Sequence, residues 1–435
     1  MPAAIVIGSQ WGDEGKGKVV DIFSAQADYV VRYQGGANAG HTLKLEDQEI
    51  ILHLVPSGIL HPKVICVISA GVALDVLALC KEIKALKSSG LLTSSRQLLI
   101  ADSATLLLST HKKLDQAREK FAGFDKIGTT GKGIGPAYES RAERKALLFA
   151  DLFEEKEILA EKLSKTLKEK NFLLEHFYKE TPPSLDSIVS ELLECREILQ
   201  AYRCKDTSLE IYQALQNKKR VLFEGAQGSL LDLLHGTYPY VTSSSTLAGA
   251  AFNNSGIGLH KIDKVVAITK VYTTRVGSGP FPTECSETAQ GKYLQEKGSE
   301  FGATTGRKRR CGWLDLVALR YAIRINGITH LALMKLDVLS GLEEIKVCTS
   351  YELDGKVIKE FPNLSQSLNR VKPIYKSFPA WSENLTEVRE QKDLPKAALN
   401  YVNFISQELN TPVDVISVGS RRKETIWLES LFGDS

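Results

Sequence analysis

An aspartate and a histidine stand in two glycine-rich stretches near the start of the chain, Asp13 within Gly12 to Asp21 (GDEGKGKVVD) and His41 within Gly35 to Thr42 (GGANAGHT). Such a pair can do acid–base work, because a carboxylate can take a proton and an imidazole, titrating near neutrality, can give one. The glycines suggest the substrate. Gly12, Gly17 and Lys18 fit the spacing G-x-x-x-x-G-K, in which backbone amides approach a phosphate and a lysine offsets its charge. The next position usually carries a Ser or Thr that holds magnesium, whereas Val19 has no oxygen to offer, so a metal needs another ligand. Asp13 is the obvious substitute, since a carboxylate among phosphates is unfavourable unless a cation or a proton transfer requires it. A glycine-rich turn opening a solvated helix is the bland alternative for the loop, and a plain loop residue the bland one for His41. The apolar run Ala3 to Ile7 before the loop, and Val19, Val20, Ile22 and Phe23 after it, favour a phosphate site. Gly40 lets the backbone beside His41 come close to a ligand.

The elements that must position these loops read as alternating strands and helices. Strand-like runs recur at Tyr29–Tyr33, Val64–Ser69, Gln97–Ile100, Arg220–Phe223, Val265–Val271, His330–Leu336 and Val413–Val418. The expected fold is therefore α/β, a large mainly parallel central sheet flanked by helices with a P-loop-like nucleotide site. From about 153 to 217 the texture becomes Lys/Glu-rich and helical, broken at Thr181-Pro182-Pro183-Ser184, where Ser184 can cap the next helix. This reads as a helical insertion in a single catalytic domain spanning 1–435.

Composition moves the function to local sites. Across 435 residues, 55 basic side chains nearly balance 52 acidic ones, for a net charge of +3, so no global field argues for nucleic acid or a membrane as partner. Seven cysteines without a CxxC pair speak against a disulfide framework or zinc site and fit a reducing cytoplasm. The N-terminus MPAAIVIGS lacks a basic export-type segment, and no apolar run is long enough to span a bilayer.

Further glycine-rich segments follow. Ile127 to Pro136 reads IGTTGKGIGP, Glu224 to Gly228 reads EGAQG after a strand, and Phe301 to Trp313 reads FGATTGRKRRCGW. The basic run Arg307 to Arg310 could be a nucleic-acid patch, but it is isolated and adjoins Ala303-Thr304-Thr305-Gly306, which suits a small anion better. Met334-Lys335-Leu336-Asp337 closes an apolar run and resembles the base-reading element of GTPases. A carboxylate there can accept from the N1 and amino groups of guanine while a lysine stem covers the ring, which makes GTP the expected nucleotide.

Together GSQWGDEGKGK, QGGANAGHT, IGTTGKGIGPAYE, FEGAQG, GTYPYVTSS, FGATTGRKRR and KLDVLSG resemble the adenylosuccinate synthetase family from Ala4 nearly to the C-terminus. The resemblance implies a homodimeric ligase that joins IMP and L-aspartate at the expense of GTP, with Mg2+, on the route to AMP. It makes Asp13 the general base and a magnesium ligand, His41 the general acid, and Gly40 a backbone ligand of the metal. Gly12, Asp13, Glu14, Gly15, Lys16, Gly17 and Lys18, with Gly40, His41 and Thr42, would hold the GTP phosphates. Lys335, Leu336, Asp337, Ser417, Val418 and Gly419 would hold the guanine. IMP would meet Asn38, Thr130, Gln227, Thr242 and Arg307, with Asp13, Lys16, Ala39, Gly40 and His41 beside it and Arg144 supplied by the partner subunit. L-Aspartate would occupy Ala303, Thr304, Thr305, Gly306, Arg307, Lys308 and Arg309, and Arg309 would also approach GTP. Lys308, in a stretch that is often all arginine, and Ser417 to Ser420, where related enzymes often have Thr and Pro, depart from the pattern. A GTP-dependent switch acting on a protein partner is the alternative, although it leaves most of these loops without a purpose.

Overall fold

A computed structural model describes residues 2–38, 40–45, 48–259, 262–302 and 306–432, with only the backbone at 41–45, 48 and 49. Strand β1 (Ala3–Gly8) is buried along its whole length, as expected for a parallel strand covered on both faces. Its side chains alternate between two cores. Ala3, Ile5 and Ile7 pack with Tyr29, Val31 and Phe223, whereas Ala4 and Val6 meet Val19, Val20 and Phe23 of helix α1 (Lys16–Ser24).

Nine further strands complete the sheet: β2 (Tyr29–Arg32), β3 (Ile65–Ile68), β4 (Leu98–Ala101), β5 (Arg203–Cys204), β6 (Val221–Glu224), β7 (Lys264–Lys270), β8 (His330–Met334), β9 (Val413–Ser417) and β10 (Thr425–Trp427). Their order is β10-β9-β8-β7-β1-β6-β2-β3-β4-β5. All neighbours run parallel except β9 and β10. The chain builds outward on one side of β1 and then returns to build on the other, so β1 lies at the topological switch point. Loops at the carboxyl ends of strands there form the crevice in which such sheets bind ligands.

The apolar runs read from sequence fall on these strands to within a residue or two. The short β5 and β10 were not legible, being too brief for a period. Also unread was a small sheet in which Glu344–Leu353 pairs antiparallel with Lys356–Ile358 and Lys372–Pro379. Between 153 and 217 lie helices Lys156–Phe172, Leu185–Leu199 and Thr207–Gln216. Ser184 caps the second by accepting from the Ser187 N–H at 3.1 Å. Leu159, Leu163, Ile188 and Leu192 pack with Leu79 and Ile83 of helix Val76–Ser88, leaving most of the charged residues outward, with Lys170 buried. Among the described residues, no helix is long and apolar enough to cross a membrane.

Candidate active site

The phosphate-type loop between β1 and α1 is shaped by three positive backbone angles, at Gly12 (φ 83°), Asp13 (φ 59°) and Gly15 (φ 93°). Asp13 is the residue there for which this conformation is uncommon. Its carboxylate is 40% exposed, and Oδ2 accepts from Arg309 Nε at 3.0 Å. Glu14 does a different job. It is fully buried, accepts from the N–H groups of Gln10 and Gly12 at 3.0 Å each, and pairs with Lys16 Nζ at 2.7 Å. Glu14 thus ties the loop down from inside, and Lys16 neutralises it. At Gly228, opposite, a Cβ would come within 2.4 Å of Gln10 O and 2.5 Å of Gly12 N, so only glycine lets the loop after β6 come this near.

Lys18 lines the cavity beside this loop. Its ammonium donates to Ser417 Oγ at 2.8 Å and to the carbonyls of Gly419 and Glu424, each at 2.9 Å, and burial pushes it down to about 8 despite Asp337 and Glu424 nearby. It clasps the phosphate loop to the loop after β9.

Several chain segments meet around this cavity of about 460 Å³, lined by Asp13, Lys16, Lys18, Asn38, Gly40, Thr130, Gln227, Thr242, Arg309, Lys335, Ser417 and Gly419, among others. Gln227, at φ 58°, donates from Nε2 to Asn38 Oδ1 at 3.1 Å. Its Oε1 is buried and lacks a partner among the described residues, as does Asp337 Oδ1. Buried acceptors without a donor are rare and call for one. Asp337 stands in the turn Leu336–Leu339 after β8. Burial pushes its carboxyl up, with Lys335 and Lys18 pulling the other way. Leu336 and Val418 are buried, so these two can offer only backbone.

The loop carrying Thr130 is anchored by helix Ser109–Ala122, a role the sequence did not reveal. Glu119 accepts from the N–H groups of Ile127, Gly128 and Thr129 at 2.9–3.2 Å. Asp115 accepts from Thr129 Oγ1 at 3.0 Å and Gly133 N at 2.8 Å. Arg307 Nη1 reaches the carbonyls of Thr129 at 3.3 Å and Gly128 at 3.4 Å, joining this loop to the basic run. On the same helix, buried His111 accepts the Leu108 N–H at Nδ1, and burial pushes its imidazole down to about 3. A lowered histidine stabilises the fold fully above the unfolded value near 6.5 and loses that contribution as pH falls toward 3. The expected result is an acid decline in melting temperature over that range, shallower in His111→Gln, with a slope difference up to about 1.4 kcal/mol per pH unit. Identical slopes would show that His111 does not contribute.

Glu300 is another residue that sequence reading missed. It is fully buried, and its carboxylate bonds to Lys270 Nζ at 2.9 Å, Lys335 Nζ at 2.8 Å, Arg309 Nη1 at 2.7 Å and the Tyr272 hydroxyl. Burial opposes its charge, but Lys270, Lys335 and Arg309 outweigh burial and hold the carboxyl well below its usual range.

Ala39, Ala303, Thr304 and Thr305, and the side chains of His41 and Thr42, lie outside the described residues. Gly306 and Lys308 are exposed and do not line the cavity. Arg144 is exposed, does not line the cavity, and sits at φ 64°. Among the described residues, a metal-capable cluster of His330, Asp414 and Glu429 occurs at the amino ends of β8 and β9, away from the cavity. There Lys264 Nζ already sits 2.7 Å from Asp414 Oδ2 and 3.0 Å from Glu429 Oε2.

A doubly wound parallel sheet with a glycine-built phosphate loop at its switch point defines a P-loop-like α/β nucleotide enzyme. The adenylosuccinate synthetase family model matches residues 5–426, and the chain belongs to that family. It is 56% identical over 434 residues to the adenylosuccinate synthetase of Bdellovibrio bacteriovorus, covering 100% of both chains. It is 50% identical to that of Carboxydothermus hydrogenoformans, covering 99% of this chain and 100% of the other. The solved structure of fully ligated adenylosuccinate synthetase from Plasmodium falciparum superposes with a TM-score of 0.92 at 36% identity, over 98% of this chain and 99% of that one.

Proposed function

We propose that the cavity at the switch point is where this chain, a GTP-dependent ligase of AMP biosynthesis, forms the C–N bond that joins IMP to L-aspartate. The family carries the reaction; the residues and their roles are our reading. The observation that best supports it is the convergence of Asp13, Asn38, Thr130, Gln227, Thr242 and Lys335 on one cavity, with unpartnered acceptors at Gln227 and Asp337.

The 6-oxygen of IMP is a poor leaving group, so it must be activated before an amine can replace it. Asp13 takes the N1 proton and the resulting 6-oxyanion attacks the γ-phosphorus of GTP in line, giving 6-phosphoryl-IMP and GDP. His41 donates toward charge developing on the β–γ bridging oxygen. The aspartate amine then adds at C6 and inorganic phosphate leaves, while the Ala303–Arg309 loop holds the carboxylates of L-aspartate, Arg307 by paired hydrogen bonds. Asp337 and Lys335 hold the guanine, with Ser417 to Gly419 closing that side.

Mg2+ fits the donor set: Asp13 offers a hard carboxylate oxygen beside the Gly40 backbone in the same cavity, and buried Val19 leaves no hydroxyl to compete. When bound, the ion offsets negative charge on the transferring phosphoryl group. We further propose a homodimer in which Arg144 serves the partner's IMP site, a single catalytic domain with 153–217 as a helical insertion, and a cytoplasmic location.

Two tests follow from the chemistry. IMP labelled with 18O at position 6 is expected to deliver the label into inorganic phosphate. Label left in the purine product or lost to water would exclude the phosphorylated intermediate. His41→Asn is expected to lower kcat by about 100-fold or more with the melting temperature within a degree or two; near-normal turnover would remove its role as acid.

A further inference from the structure

Three cations share one buried carboxylate, and two of them, Arg309 and Lys335, line the cavity. Glu300 is fully buried and holds Arg309 by Nη1 at 2.7 Å, while the same guanidinium reaches Asp13 Oδ2 through Nε at 3.0 Å. Lys335, on the guanine side, donates to Glu300 Oε1 at 2.8 Å. Lys270, with no exposed surface, lies 2.9 Å from both Glu300 oxygens and donates also to Thr274 Oγ1 at 2.6 Å. Burial pushes the Lys270 ammonium down to about 8, Glu300 pulling the other way. Two ions so placed are expensive unless each is well paired, and removal of one partner is costly.

With Arg309 bonded to Oδ2, one of the two oxygens of Asp13 is engaged by a cation rather than turned to a substrate proton. Arg309 lines the cavity, so an incoming triphosphate competes with Asp13 for its guanidinium, and a planar fork can exchange one anion for another while keeping a second. Resting on the reading above, we propose that Glu300 is a positioning residue, the fixed pivot on which Arg309 turns from Asp13 to the nucleotide. Its hold on Nη1 keeps the guanidinium within reach of both, so that nucleotide entry frees the base. Its hold on Lys335 sets the guanine end from the same point. Glu300 touches none of the three substrates in this arrangement and acts only through Arg309 and Lys335.

The test compares two lesions and their combination in the full chain. Glu300→Gln alone strands Lys270, so the pivot is removed as the charge-balanced pair Glu300→Gln with Lys270→Met, which keeps volume and leaves no unpaired buried ammonium. Arg309→Lys keeps the charge but replaces the planar fork, which meets the two carboxylates through separate nitrogens, with a single ammonium point charge. Each lesion is expected to lower kcat about 100-fold, as misplacement of a catalytic constellation does, with KM for IMP changed less than about threefold. Together they are expected to cost about 100-fold, because residues acting as a unit are not additive. Multiplicative losses near 10,000-fold, or a pivot-less chain with normal kcat, would overturn the proposal. If the pair of substitutions does not fold, Glu300→Asp decides: partial activity that Arg309→Lys does not lower further supports the pivot, and activity that falls by the full Arg309→Lys factor refutes it. Failure of the ligase reading looks different, since the unaltered chain would then make no adenylosuccinate.

Discussion

Asp13→Asn is expected to lower kcat for adenylosuccinate formation by about 100- to 10,000-fold, the usual worth of a positioned base. The substitution keeps size and hydrogen-bonding reach while removing basicity. Asp13 is 40% exposed with Arg309 as its ion-pair partner, so the fold should hardly notice. The loop is tied down by Glu14, not by Asp13, through the Gln10 and Gly12 N–H groups and Lys16. The melting temperature should therefore stay close to that of the parent while turnover collapses. The converse pattern is expected of Glu14→Gln, whose buried pair with Lys16 would be broken. If Asp13→Asn turned over normally, the proton would have to leave N1 by another route.

The second large effect is expected at Asp337. Its Oδ1 is buried without a partner among the described residues, and burial already pushes its carboxyl up. A ligand that donates two hydrogens to the carboxylate relieves both costs, and a guanine edge has that pattern. Hydrogen bonds to charged groups contribute about 1.5–3 kcal/mol each. Asp337→Asn replaces an acceptor with a donor facing a donor, so kcat/KM for GTP is expected to fall by about 100-fold or more. A nucleotide whose base presents an acceptor at the matching position should lose much less. Steady-state kinetics with GTP and such an analogue read this directly, and an unchanged GTP preference would remove Asp337 from base recognition.

The fold was legible where burial leaves a simple pattern. β1 is covered on both faces, so its apolar run is continuous, and the same holds for β2, β6 and β7. β5 has two residues and β10 three, too few to show a period, and their places come from tertiary pairing alone. The loops of the site were legible because positive φ and close approach demand glycine at Gly12, Gly15 and Gly228.

What organises those loops was not. Glu119, Asp115 and Glu300 are ordinary acidic residues in sequence, and only the fold brings them under the backbone and cations they hold. Glu300 even stands next to the FGATTGRKRR run that drew attention, yet one carboxylate beside a glycine-rich stretch carries no spacing signal. Lys18 fits a phosphate lysine by spacing, and spacing carries no sign of its bonds to three oxygens of the 417–424 segment.

Ligase activity is read most directly by following absorbance in the adenylosuccinate band with purified protein, IMP, L-aspartate, GTP and Mg2+, and then omitting each component in turn. The expected signal needs all four, with inorganic phosphate released in equal amount. A flat trace with continued GTP hydrolysis would contradict it and point to a GTPase acting on something else.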